Sequence, residues 1–172
     1  MHGSGYLDHC EAEILDFLGD IRRILFVPFA LGDRAGYAAR VRERMGKMGI
    51  VVDSLQDQES PTLAVSRASA LFIGGGDTFR LLVALYRGDL LVPIRRKVEE
   101  GMPYLGASAG SNVACPTIKT TNDMPIVQPP GFAALALVPF NINPHYLDPD
   151  PSSPHMGETR EERIREFHRM KD

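Results

Sequence analysis

The sequence predicts an α/β chain in which a parallel sheet is wrapped by helices. Short apolar runs rich in β-branched and aromatic residues alternate with longer stretches of helical period, and parallel strands need such crossovers. The runs Ile24 to Ala30, Ile50 to Leu55, Ala70 to Ile73, Pro103 to Gly106 and Phe140 to Pro144 read as strands. Between them, Gly36 to Met48, Thr62 to Ala68, Thr78 to Tyr86 and Val92 to Glu100 place apolar residues three and four apart, as helices facing a core do. Tyr6 to Leu18 also has a helical pattern, with Ile14, Leu15 and Leu18 on one side. No strand precedes it, so the first strand of the sheet is expected to be missing.

A chain of 172 residues fits a single domain, 1–172, that buries its core without disulfides or a structural metal. Hydrophobic residues make up 44% and charged residues 24%, with a net charge of -3, as in ordinary globular proteins. No charge field points to nucleic acid or to an anionic membrane. Cys10 and Cys115 lie far apart and neither sits in a C-x-x-C pair, so they read as free buried thiols in a reducing compartment. With no secretory pattern and no apolar run of membrane-spanning length, the expected location is the cytoplasm. No His/Cys/Asp cluster has metal-ligand spacing, so neither metal nor cofactor is expected, and the chain is expected to act as a monomer or homodimer.

From Pro116 to Asp150 repeated prolines break any long helix, and an ordered loop region beside the site is expected. Thr159 and Glu162 form a capping box ahead of Ile164 and Phe167, so a last helix should begin near Arg160.

Gly106-Ala107-Ser108-Ala109-Gly110 fits G-x-S-x-G, between a predicted strand and a helix. Such an elbow exposes the serine hydroxyl, and the amide of Ala109 points toward a developing oxyanion. Of the five histidines, His2, His9, His145, His155 and His168, only His145 follows a predicted strand end. That places it at the same carboxyl edge of the sheet as Ser108, where open α/β sheets bind ligands. Gly74-Gly75-Gly76 ends another strand, where consecutive glycines turn backbone amides toward an anion. It matches neither a dinucleotide fingerprint nor a P-loop. Asp123 either orients a histidine or caps its own loop.

These segments resemble the peptidase E family over nearly the whole chain. The resemblance rests on Phe26 to Ala30, Gly74 to Phe79, Ser108 to Ile118, Thr120 to Val127, Ile142 to His145 and Gly157 to Glu161. It implies a flavodoxin-like α/β fold related to glutamine amidotransferase domains, and hydrolysis of dipeptides whose first residue is aspartate. Ser108 is then the nucleophile and His145 the base. Gly75 or Gly76 with Ala109 supply oxyanion amides, Asp123 supports the site, and Arg160 pairs with the substrate's aspartyl carboxylate. A cation in a helix's first turn opposes the dipole, which fits a dedicated anionic partner for Arg160.

The chain departs from the family pattern at three places. Asp77 stands where asparagine is usual. An apolar run ending near Ser-Asn-Ser is missing ahead of Met1, and the chain stops at Asp172, before the final strands and a Gly-Leu-x-Glu-Gly stretch whose glutamate is regarded as the third member of the triad. Two other functions compete: a catalytically silent binder of aspartyl peptides, and an α/β-hydrolase esterase. The second is disfavoured because too little chain separates Ser108 from Asp123 for the strands that fold needs.

Overall fold

The computed structural model describes residues 5–148 and 157–170. Four strands, β1 (Arg23–Val27), β2 (Val51–Ser54), β3 (Leu71–Ile73) and β4 (Tyr104–Gly106), form a parallel sheet in the order β2-β1-β3-β4. Around it lie α1 (Glu11–Leu18), α2 (Arg34–Lys47), α3 (Pro61–Arg67), α4 (Thr78–Arg87), α5 (Leu91–Glu99), α6 (Ala109–Ala114) and α7 (Arg160–Arg169).

The two-residue period of the strands divides the core into two layers. Ile24, Phe26, Val52 and Phe72 face one way and pack with Ile14 and Leu18 of α1 and Tyr37, Ala38, Val41 and Met45 of α2. Leu25, Val27, Leu71 and Ile73 face the other way, onto Val65 of α3, Leu81, Leu82 and Leu85 of α4, Ile94 of α5 and Val113 of α6. The central strands are buried on both faces, which is why they read as unbroken apolar runs. Helices on both faces of a parallel sheet, with the order reversing between β1 and β3, give the flavodoxin-like α/β arrangement. Arg44, 9% exposed, draws the N-terminal segment onto this frame. It forms ion pairs with Asp8 at 2.8 Å and Glu11 at 2.6 Å, and donates to the carbonyls of Tyr6 and Leu7.

One expected strand is absent. Phe140 to Pro144 is irregular chain, because its polar groups are engaged by side chains rather than by a ladder. The Ile142 amide donates to the Cys115 sulfur, the Ile142 carbonyl accepts from Thr120 Oγ1, Asn143 donates to the Thr120 carbonyl, and Asn141 accepts from the Thr117 amide. The capping box at Thr159 and Glu162 forms, and the Thr159 amide, the foremost of its contacts, holds the Glu162 carboxyl below its ordinary range.

The start of α6 packs on the end of β3 with no room for a side chain: a Cβ at Gly110 would collide with the Ile73 carbonyl. Gly46, inside α2, faces open space. Gly110→Ala should therefore destabilise the fold by roughly 3 kcal/mol or more through overpacking, whereas Gly46→Ala should stabilise it by roughly 0.5–1 kcal/mol. Paired thermal or denaturant unfolding curves check both signs.

Candidate active site

Ser108 sits between β4 and α6 with φ 51° and ψ -105°, a conformation that L-residues rarely adopt. Crowding imposes it. A Cβ at Gly106 would lie 2.8 Å from the Gly110 carbonyl carbon, so both glycines of G-x-S-x-G are required by the approach of backbone to backbone. Tyr104 Oη donates to the Gly110 carbonyl at 2.6 Å and Ser111 Oγ to the Gly106 carbonyl at 2.9 Å, closing the elbow. As the first residue of α6, Ala109 has an amide without an intrahelical acceptor.

His145 reaches Ser108 from the irregular segment: its Nε2 lies 2.9 Å from Ser108 Oγ. Its backbone is left-handed, φ 60°, in a turn with Pro144 rather than at the strand end that the sequence led us to expect. The Asn122 side chain donates to the Pro144 carbonyl at 2.9 Å and Asn143 donates to Asn122, so the residue before the histidine is tied to the loop carrying Asp123. His2 and His155 lie outside the described residues.

Asp123 lines the same small pocket as Ser108 and His145, together with Thr78, Asn112, Thr121, Asn122 and Pro144. Its Oδ2 accepts from the Thr78 amide at 2.8 Å, from the Thr78 hydroxyl and from Thr121 Oγ1 at 3.1 Å. Among the described residues these, rather than His145, are the donors to its carboxylate. Of the two jobs open to Asp123 in the sequence, its contacts are those of loop and helix capping. Asp77, the unusual residue at this turn, also caps α4, accepting from the Arg80 amide at 2.7 Å.

The glycine turn lies against the elbow, for a Cβ on Gly75 would be 3.1 Å from that of Ser108. The Gly75 amide is engaged, donating to Tyr37 Oη at 2.9 Å. Gly76 has φ 134°, and a side chain there would meet the Ala30 carbonyl at 2.6 Å. Arg160 begins α7 in a neighbouring cleft of about 360 Å³, which shares Thr121 and Asn122 with the serine pocket. Its Nη1 is buried and has no partner among the described residues. An orphaned guanidinium nitrogen at such a place is a ready anion site.

Among the described residues no group of three or more His, Cys, Asp and Glu side chains converges on a point, and no helix is long and apolar enough to cross a membrane. Tyr37, Thr78, Asn112 and Thr121 complete the site and were not singled out in the sequence. Thr78 and Asn112 are buried polar residues on α4 and α6, and Asn112, one helical turn after Ser108, follows the elbow by a spacing that the sequence does contain.

The model of peptidase family S51 matches residues 1–172. The chain belongs to peptidase family S51. A Streptomyces coelicolor protein named peptidase E is 54% identical over 166 residues, which is 96% of this chain and 68% of the relative. A Drosophila melanogaster protein named "Probable alpha-aspartyl dipeptidase" is 51% identical over 97% of this chain and 71% of its own length. The crystal structure of a Listeria monocytogenes protein described as a "Putative Peptidase E Protein" superposes with a TM-score of 0.66 at 25% identity, covering 76% of this chain and 71% of that one. A peptidase from an acI-B1 actinobacterium shares the fold, with a TM-score of 0.53 at 21% identity over 67% of this chain and 55% of its own.

The Ser108 backbone carries strain of roughly 1–3 kcal/mol that a glycine would release. Ser108→Gly should accordingly unfold a few degrees above Ser108→Ala, both variants lacking the hydroxyl that contacts His145. Equal midpoints would mean that the elbow is unstrained.

Proposed function

We propose that this S51 chain hydrolyses dipeptides with an N-terminal aspartate, using Ser108 as nucleophile and His145 as general base. The contact of 2.9 Å between His145 Nε2 and Ser108 Oγ, made at a strained strand-to-helix elbow, carries the reading. The names of the relatives supply the substrate class.

In the proposed reaction His145 takes the Ser108 proton as Oγ adds to the aspartyl carbonyl. The Ala109 amide and one from the glycine turn stabilise the oxyanion. His145 then returns the proton to the leaving amine, the C–N bond breaks, and an aspartyl ester remains on Ser108. Water, deprotonated by His145, hydrolyses this ester and releases aspartate. Arg160 receives the substrate's side-chain carboxylate through its guanidinium, whose Nη1 has no partner among the described residues, while Asp123 supports the site by fixing Thr78 and Thr121.

Ser108→Ala should lower Asp-Leu turnover by several orders of magnitude, on the order of 10⁶ where a serine of this kind acts. Turnover and calorimetric binding are measured on the same sample. Binding without hydrolysis by the unmutated chain would identify a silent aspartyl-peptide binder instead.

Specificity gives a second check. The guanidinium pairs with a carboxylate and not with an amide, and a desolvated charge left unpaired is penalised by several kcal/mol. The kcat/KM for Asp-Leu should thus exceed that for Asn-Leu by about a hundred-fold or more, and Arg160→Met should erase most of the difference. Equal values for the two dipeptides would remove Arg160 from the specificity site.

A further inference from the structure

The glycine turn contains more than one amide able to face an oxyanion, and the hydrogen bonds of the turn distinguish among them. The Gly74 amide donates to the Val27 carbonyl at 3.2 Å, the Gly75 amide to Tyr37 Oη at 2.9 Å, and the Asp77 amide to the Ala30 carbonyl at 2.9 Å. The Thr78 amide donates to Asp123. Among the described residues only the Gly76 amide in this run has no acceptor.

Tyr37 comes from α2, which packs on the sheet face opposite the helix that carries Ser108. It is 5% exposed, and its ring stands edge-on to Phe26 at 5.0 Å. Its hydroxyl passes so close beneath the turn that a Cβ on Gly74 would lie 2.5 Å from it, and it shares a hydrogen bond of 3.2 Å with the Tyr6 hydroxyl. A core position in a helix would be filled as well by phenylalanine. The hydroxyl is used on the Gly75 amide, and Gly75 is the glycine of the turn that lies against Ser108.

From this we infer that Tyr37 is a positioning residue for catalysis: by engaging the Gly75 amide it fixes the turn so that Gly76, with Ala109, presents the oxyanion donors. The inference rests on the serine-peptidase reading and chooses between Gly75 and Gly76 within it. Removing the hydroxyl frees the Gly75 amide and lets the peptide planes of the turn rotate. The loss then falls on the tetrahedral state, in which the oxyanion exists, and not on the substrate complex.

Tyr37→Phe keeps the ring packing and deletes the one acceptor. With Asp-Leu as substrate, kcat should fall about 10- to 100-fold, up to the loss from one oxyanion donor, while KM changes by less than about 3-fold. Affinity for the boronic acid analogue of aspartate, which forms a tetrahedral adduct with a serine, should fall by the same factor as kcat/KM. Aspartate binding by Ser108→Ala/Tyr37→Phe should equal that by Ser108→Ala. Tyr6→Phe, which leaves the Tyr37 hydroxyl in place, should retain most of the activity. Unchanged kcat and boronate affinity in Tyr37→Phe would overturn the inference, as would a parallel fall in kcat, aspartate affinity and thermal midpoint, which marks a merely structural residue. If the unmutated chain binds the boronate yet fails to cleave Asp-Leu, the dipeptidase reading falls, and the boronate ratio alone then decides the role of Tyr37. A chain that neither cleaves nor binds overturns both.

Discussion

The approach of the first turn of α6 to the end of β3 is the constraint on which the site depends. Without a side chain at Gly110, the helix settles against the Ile73 carbonyl, and Ser108 takes its positive φ at the tip of the elbow. It also brings Ser108 beside Gly75, since the glycine turn continues directly from the same strand. Ser108 and the glycine turn are thus placed together by the adjacent parallel strands β3 and β4.

The loop contributes His145 and much of the lining of the serine pocket by different physics. Its segments are joined through side chains: Thr120, Asn122, Asn141 and Asn143 bond to backbone groups across it, and Asp123 binds it to the first turn of α4. Each bond is worth about 1 kcal/mol net, and the one from Asn122 holds the peptide before His145. A charged acceptor at a helix N-terminus is favourable through both hydrogen bonding and the helix dipole. This suits Asp123 to anchoring Thr78 irrespective of any chemistry.

Much of this was legible in the sequence because burial on both faces writes a simple pattern. Four of the five apolar runs and their intervening helices lie within a few residues of the observed elements, and the capping box at Thr159 marks the start of α7. Phe140 to Pro144 misled for a definite reason. Its apolar residues resemble a strand, but a short run cannot reveal that the partners of its backbone will be a cysteine sulfur and threonine and asparagine side chains. Tyr37 was hidden differently, since at its spacing in α2 it is indistinguishable from a core aromatic, and only a distance to a glycine 38 residues away shows what its hydroxyl does. The burial of Arg160 Nη1 was likewise beyond pattern reading, although the oddity of a cation in a first helical turn pointed to the residue.

The absence of a β-ladder beneath His145 bears on how the site breathes. Ser108 is carried by the sheet and can be displaced only by disturbing the core, whereas His145 rides on a segment held by a handful of side-chain bonds near the surface. Local opening in proteins follows the least protected cooperative unit. Freeing the His145 segment therefore breaks a few side-chain bonds, whereas moving Ser108 disturbs the packed sheet. A serine–histidine contact built in this way opens from the histidine side, while the elbow and the glycine turn keep their places.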